Sequence, residues 1–460
     1  MLIVAFRCNI IRKNVYIIYE MPVNQGGINM KRFALEKLIE WKNKPNRKPL
    51  IIRGARQVGK TWLMKEFGKI CFEKVAYVNF DSNTRMQQVF DGEISIDRIV
   101  LAISAETGIS IDAENTLLIF DEVQEVPKAL SSLKYFCENA PEYAIVAAGS
   151  LLGVALHKGT SFPVGKVDFM DLYPLTFQEF LCALGEERFV SILQSSDTDM
   201  VTMFKSKYMD RLREYYYVGG MPEVVQAYIE TKDFNLVREI QKNLLNYYQQ
   251  DFSKHADISL VPRLNLVWNS VPMQLAKENK KFIYGQVRKG SRAKDFELAI
   301  QWLADAGIVY KVSRIKEPKM PLKFYEDRDA FKLFLLDCGL LACMTDASAD
   351  QMLIGDNVFT EFKGAFTEQY VLQQLLALGL KPYYWSNTKT PSEIDFIIQD
   401  SQRVIPVEVK AEENVRARSL AQFIKDNPGL KGLRISMKGY VDQEWMENIP
   451  IIAIGTYFEK

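Results

Sequence analysis

One octapeptide limits the fold of this chain more than any other feature. It is Gly54-Ala55-Arg56-Gln57-Val58-Gly59-Lys60-Thr61, set in "RKPLIIRGARQVGKTWLMKEFGK". An apolar run, Leu50–Arg53, precedes it, and an amphipathic helical pattern continues from Lys60 through Trp62. Strand, glycine loop and helix make a phosphate cradle, because the loop N–H groups and the helix N-terminus converge on an anion. The glycines let the main chain turn tightly and approach a polyphosphate. Lys60 is placed to pair the β- and γ-phosphates of ATP, and Thr61 to ligate Mg²⁺ through its hydroxyl.

A second element points the same way. "NTLLIFDEVQ" is a buried-strand run over 117–120 that ends in Asp121 and Glu122. Asp121 is predicted to hold Mg²⁺ through water, and Glu122 to act as general base on the attacking water. "EYAIVAAGS" is a further strand whose terminal Ser150 either senses the γ-phosphate or closes an ordinary turn. "KVAYVNFD" and "GKVDFMDLYPL" add strands between helical stretches, so the sheet is expected to be parallel, with ligands at its carboxyl edge.

These motifs resemble the AAA-type P-loop ATPases, in the branch with a catalytic Glu after the strand Asp. The resemblance implies an α/β fold: a P-loop parallel-sheet ATPase domain over 30–180, with the glycine-loop strand central, and a helical lid over 181–255. In the lid, Gly219-Gly220-Met221-Pro222 resembles the G-x-P turn of signal-transduction ATPases, through which Pro222 would touch adenine. A plain helix-breaking loop is the other reading of that turn. Arg211 and Arg213 are candidates for an arginine finger, and no spacing rule chooses between them.

A chain of 460 residues exceeds one core, and about two to three domains are expected. The net charge of +1 carries no global footprint for nucleic acid, so DNA would have to meet a local patch. One lies at 277–294, where Lys277, Lys280, Lys281, Arg288, Lys289, Arg292 and Lys294 face Glu278 alone. Around it, residues 256–325 read as helix, turn, helix and strand pair, the outline of a winged-helix-like region. The helical face there is Phe296, Leu298, Ala299, Trp302, Leu303 and Ala306. The patch either meets DNA phosphates, about six contacts giving a log-affinity slope near five per decade of salt, or is a solvated turn. Six scattered cysteines without a CxxC pair, and two histidines, argue against a zinc site and fit a reducing, cytoplasmic setting. No run reaches the roughly 18 apolar residues of a membrane span. Residues 1–29 read as an extension, and translation is expected to start at Met30.

In the last third, 326–460, "FKLFLLDCGLLACM" reads as a buried helix-like run. In "FKGAFTEQYVLQQLLALGL", Glu368 shares the apolar stripe of Val371, Leu372, Leu375 and Leu376, where an unpaired charge is expensive. "SEIDFIIQDSQRVIPVEVK" then reads as a hairpin. A four-residue turn at 400–403 sets Asp395 opposite Glu408, and Lys410 shares the Glu408 face. Directly opposed acids destabilise a sheet unless a cation lies between them. The pattern therefore describes either a hard-cation site of oxygen ligands or a salt-bridged hairpin. Glu368, Asp395, Glu408 and Lys410 are similar in order and spacing to the PD-(D/E)xK nucleases. So is the order helix, three strands, helix ("RARSLAQFIKD"), strand ("KGLRISMKG"), strand ("IPIIAIGTYF"). That resemblance implies a restriction-endonuclease-like α/β domain in which Glu368, Asp395 and Glu408 hold Mg²⁺, and Glu408 and Lys410 serve catalysis.

From Met30 onward the chain looks like a prokaryotic fusion of such an ATPase with a winged-helix and nuclease-like region. The likeness implies an ATP-hydrolysing switch with the C-terminal region as effector. An ATP-gated metal-dependent DNA endonuclease is one alternative, and a protein-interaction module on an inert nuclease-like fold is another. An oligomer is compatible with all three, and no membrane partner is expected.

Overall fold

The computed structural model describes residues 30–458 apart from 93, 156–161, 196, 278–279, 356, 388–389 and 412–416. The extension 1–29 and Glu278 lie outside the described residues. Five strands form the first sheet: β1 (Leu50–Arg53), β2 (Lys74–Asn79), β3 (Thr116–Asp121), β4 (Ala144–Ala148) and β5 (Asp168–Asp171). All pairings are parallel, in the order β2-β3-β4-β1-β5. β3 and β4 are buried at every position, as strands covered on both faces must be. Leu117, Ile119 and Val146 join one core, and Leu118, Phe120 and Ile145 the other, following the period of two. β1 is interior but not central, since β5 alone separates it from the sheet edge.

Helices from Phe177–Ala183 to Phe234–His255 follow the sheet. The middle region has helices Val261–Leu275, Tyr284–Val287 and Ala293–Asp305, then the antiparallel strands β6 (Val309–Ile315) and β7 (Glu326–Leu335). On the Ala293–Asp305 helix, Phe296, Ala299, Trp302 and Leu303 are buried, but Leu298 is 69% exposed and leaves the expected apolar face.

The remaining strands are β8 (Tyr383–Ser386), β9 (Glu393–Gln399), β10 (Val404–Lys410), β11 (Gly432–Ser436), β12 (Val441–Asp442) and β13 (Met446–Pro450). With β6 and β7 they make one sheet, β12-β13-β11-β10-β9-β8-β6-β7. The join is a parallel pairing of Arg314 with Tyr384. The position 325/326 thus falls inside a hairpin, because β6 lies before it and both strands that β6 pairs with, β7 and β8, lie after it.

Two runs fold differently from their reading. "FKLFLLDCGLLACM" is strand and then helix, not one helix: β7 ends at Leu335, and Asp337 caps Cys338–Met344 by accepting the Leu340 N–H. "IPIIAIGTYF" is not the last strand. Met446–Pro450 pairs with β11, and Ile451 onward turns into a short helix, Ile454–Phe458. A buried apolar run carries no period that separates strand from helix, so the sequence leaves that choice to packing.

Among the described residues no helix is long and apolar enough to cross a membrane.

Candidate functional site

The glycine loop joins β1 to the helix Lys60–Cys71. Gly54 and Gly59 have positive φ, at 147° and 94°. A Cβ on Gly54 would lie 2.3 Å from the Leu172 carbonyl oxygen, so the loop's first residue has no room for a side chain. Lys60 is buried and its Nζ donates to the carbonyls of Gly54 (2.9 Å) and Ala55 (2.8 Å). Burial pulls its pKa down to about 8, against the opposing charges of Glu122 and Asp121. Trp62, in the first turn of that helix, is 40% exposed.

Thr61 and Asp121, far apart in sequence, meet: the Thr61 hydroxyl donates to Asp121 Oδ2 at 2.7 Å. Tyr77 donates to the same oxygen at 3.0 Å. A hydroxyl and a buried carboxylate are hard oxygen donors, a set that fits Mg²⁺ beside a phosphate. Glu122 sits at φ 51°, ψ 42°, a left-handed conformation unusual for a side chain of this kind. That bend carries its carboxylate to Ser150, whose hydroxyl donates to it at 3.0 Å. Gln124 donates to its other oxygen at 2.7 Å. Both carboxyl-edge residues predicted from the sequence are therefore in contact.

Helices that follow the first sheet pack on the loop. A Cβ on Gly59 would stand 3.5 Å from Pro222 Cγ. Arg56 pairs with Asp251 at 2.6 Å, and Tyr248 donates to the Arg56 carbonyl at 2.9 Å, both from the helix Phe234–His255. Arg32 donates to the Val58 carbonyl at 2.9 Å and pairs with Glu179. None of Arg32, Tyr248 and Asp251 was accessible to motif spacing. A buried acid in a helix, as at Asp251, is the one trace that hints at such a partner. Arg211 is held by Glu186 and Glu214, and Arg213 by Asp210, so both finger candidates are in ion pairs within the helical stretch 181–255.

In the second sheet, β10 pairs with β9 so that Val404 faces Gln399 and Val407 faces Phe396. Ile405, Val407 and Val409 enter the main core. Glu408 is 3% exposed: one oxygen is 2.7 Å from Lys410 Nζ, and the other accepts the Leu420 N–H at 3.0 Å. Asp395 accepts the Val409 N–H at 2.7 Å. Lys280 contacts Glu368, and buried Lys332 contacts Glu393 and stands 3.6 Å from Glu368. Burial and the Glu368 charge push the Asp395 carboxyl up to about 8, while Lys280 and Lys332 hold Glu368 below its usual range despite its burial. In this side-chain arrangement, lysines supply the positive charge that neighbouring carboxylates require. Among the described residues no three His, Cys, Asp or Glu side chains form a group able to hold a metal ion.

Lys280 is thereby lost to the basic patch, because it points into the acid cluster. Arg288, Lys289, Arg292 and Lys294 remain exposed around the turn before Ala293–Asp305. Arg288 and Lys289 line a groove with Arg263, Ser291 and Phe296.

Three family models match separate parts of the chain: an AAA domain over 46–181, a domain of unknown function (DUF8612) over 209–351, and a second domain of unknown function (DUF4143) over 363–457. The 209–351 match runs across both the 255/256 and 325/326 positions. No curated protein matches the sequence. Among solved structures, the Walker-type ATPase of Pyrococcus abyssi is 14% identical, covering 69% of this chain and 96% of that one, at a TM-score of 0.45. The Aeropyrum pernix ORC1 protein in complex with DNA is 12% identical, covering 68% and 91%, at 0.26. The Thermotoga maritima RuvB Holliday junction branch migration motor is 13% identical, covering 61% and 89%, at 0.29. The AAA-domain match and the glycine-loop sheet coincide, and residues 46–181 have a P-loop AAA-type fold.

Proposed function

We propose that the chain binds and hydrolyses ATP and acts as a nucleotide-dependent switch on its own C-terminal region. The observation that carries this reading is the convergence of Lys60, Thr61, Asp121 and Glu122 at the carboxyl edge of one parallel sheet. Gly54 to Thr61 would wrap the phosphates with N–H groups, and Lys60 would turn from its loop carbonyls to the β- and γ-oxygens. Mg²⁺, held by Thr61 and through water by Asp121, would neutralise charge on those oxygens. Glu122 would take the proton of the attacking water, with Ser150 and Gln124 fixing its carboxylate. Pro222 would border the base.

Glu122→Gln keeps the size and the Ser150 contact but removes the base. Its kcat is expected to fall by about 10²- to 10³-fold with ATP affinity changed by less than about threefold. Single-turnover phosphate release alongside equilibrium binding checks this, and undiminished turnover would remove Glu122 from the role.

A second reading concerns DNA, and the exposed turn at 288–294 favours it. Four phosphate contacts from Arg288, Lys289, Arg292 and Lys294 imply a log–log salt slope of roughly −3.6, shallower than six would give. Substituting Arg288 and Lys289 by alanine should cut that slope by about two units, measured by fluorescence anisotropy on duplex DNA. A salt-independent affinity would exclude the patch as a phosphate-binding surface.

A further inference from the structure

The lid turn is held by a side chain that no nucleotide motif includes. Gly219 lies at φ 77°, ψ −167°, where L side chains are strained. A Cβ there would stand 2.1 Å from Asp337 Oδ1, and a Cβ on Gly220 would stand 2.2 Å from the Leu175 carbonyl oxygen. The two glycines thus let one turn squeeze between a carboxylate and a strand-end backbone. Gly220 uses both its backbone groups there. Its N–H donates to Asp337 Oδ2 at 2.7 Å, and its carbonyl accepts the Leu175 N–H at 2.7 Å. Leu175 follows β5, the neighbour of the glycine-loop strand. Two residues beyond Gly220, Pro222 opens the next helix with its ring against Gly59.

Asp337 is wholly buried. Its Oδ1 caps the helix Cys338–Met344 through the Leu340 N–H at 3.0 Å. Capping needs one oxygen, and a serine would supply it. The second oxygen goes to Gly220, and Gln373 of the helix Asn357–Ala377 braces it at 3.2 Å. Gln373 also accepts the Cys338 N–H and donates to the Tyr215 hydroxyl. A buried carboxylate with this many donors is rigid, because any loosened donor would lose its partner without regaining water.

We propose that Asp337 is a positioning residue of the nucleotide site, holding the turn 219–222 so that Pro222 stays closed over the phosphate loop. This deepens the ATP reading and rests on it. Asp337 never touches the nucleotide. It acts through Gly220 and Pro222, and through Gln373 it ties that turn to the helix that carries Glu368.

Asp337→Ser separates this role from capping, because the shorter side chain reaches Leu340 but not Gly220. In the full-length chain the variant should raise the KM for ATP by about tenfold while kcat at saturating ATP stays within about threefold, the signature of lost ground-state positioning. In nucleotide-free protein the amides of 219–222 should exchange with solvent about tenfold faster, while Lys60→Ala leaves them unchanged. Asp337→Asn, isosteric but short of one acceptor, should move both readouts in the same direction and serves if the serine variant does not fold. An unaltered KM, or unaltered exchange at the turn, overturns the proposal. A wild-type chain that binds no ATP would instead sink the ATP reading, and the exchange measurement then decides by itself whether Asp337 holds the turn.

Discussion

Lys60→Ala is expected to abolish ATP turnover and to weaken ATP binding by about 10²- to 10⁴-fold. Two charge-assisted hydrogen bonds to phosphate oxygens are worth about 1.5–3 kcal/mol each, and the variant loses both. The neighbouring cation cannot replace them, because Arg56 is drawn to Asp251 at 2.6 Å and its carbonyl is fixed by Tyr248. The fold should survive: Lys60 Nζ meets two loop carbonyls and no acid at hydrogen-bond distance, so its removal strands no buried charge. Isothermal titration with ATP and Mg²⁺, with phosphate release on the same preparation, reads the result. Binding and turnover at the wild-type level would refute the assignment of the glycine loop.

The parts of this site that the sequence reveals are those with a local cause. Gly54, Gly59, Lys60 and Thr61 sit at fixed offsets because a strand-to-helix turn must present N–H groups to an anion. Asp121 and Glu122 are marked by acids at the end of an all-apolar strand. Glu122 meets Ser150 because β3 and β4 are parallel neighbours, and Asp121 meets Thr61 because β3 and β1 flank β4 on either side. What stays hidden depends on distant chain. Asp251 and Tyr248 reach Arg56 across 195 and 192 positions, and Asp337 reaches Gly220 across 117. No periodicity encodes such pairs. Asp337 does leave a mark, as a lone acid inside an apolar run, but the run alone cannot say whether that acid breaks a helix or begins one. Lys280 shows the opposite error. It reads as one of seven solvated cations, yet its 88-residue reach to Glu368 takes it out of the patch. β6 is legible from its alternation, but half of its partner β7 lies in a run that reads as helical, and the sharing of a sheet with β8 is decided by tertiary packing.

Lys332→Met should destabilise the second sheet by about 3–5 kcal/mol, lowering the unfolding temperature by on the order of 10 °C. Lys332 is 0% exposed, lies over the Tyr384 ring at 4.9 Å, and faces Glu393, Glu368 and Asp395. Burial alone would lower its pKa, but the three acids outweigh burial and raise it, so the ammonium stays charged. Methionine fills nearly the same volume, so packing changes little and the cost is electrostatic. Buried Glu368 and half-buried Glu393 would be left with one cation fewer, and removing one partner of a buried pair costs more than the pair itself contributes. The sign follows from the direction of the shift. A lysine raised in the folded state stabilises at every pH below its unfolded value, so the deficit should be full at pH 7 and not vary between pH 6 and 8 on its account. Glu393→Leu placed in the Lys332→Met background should recover part of the loss, because it removes the charge that lost its partner, and a double-mutant cycle in urea measures that coupling. A Lys332→Met protein as stable as wild type would show that the acids at 368, 393 and 395 do not depend on lysine for their charge balance.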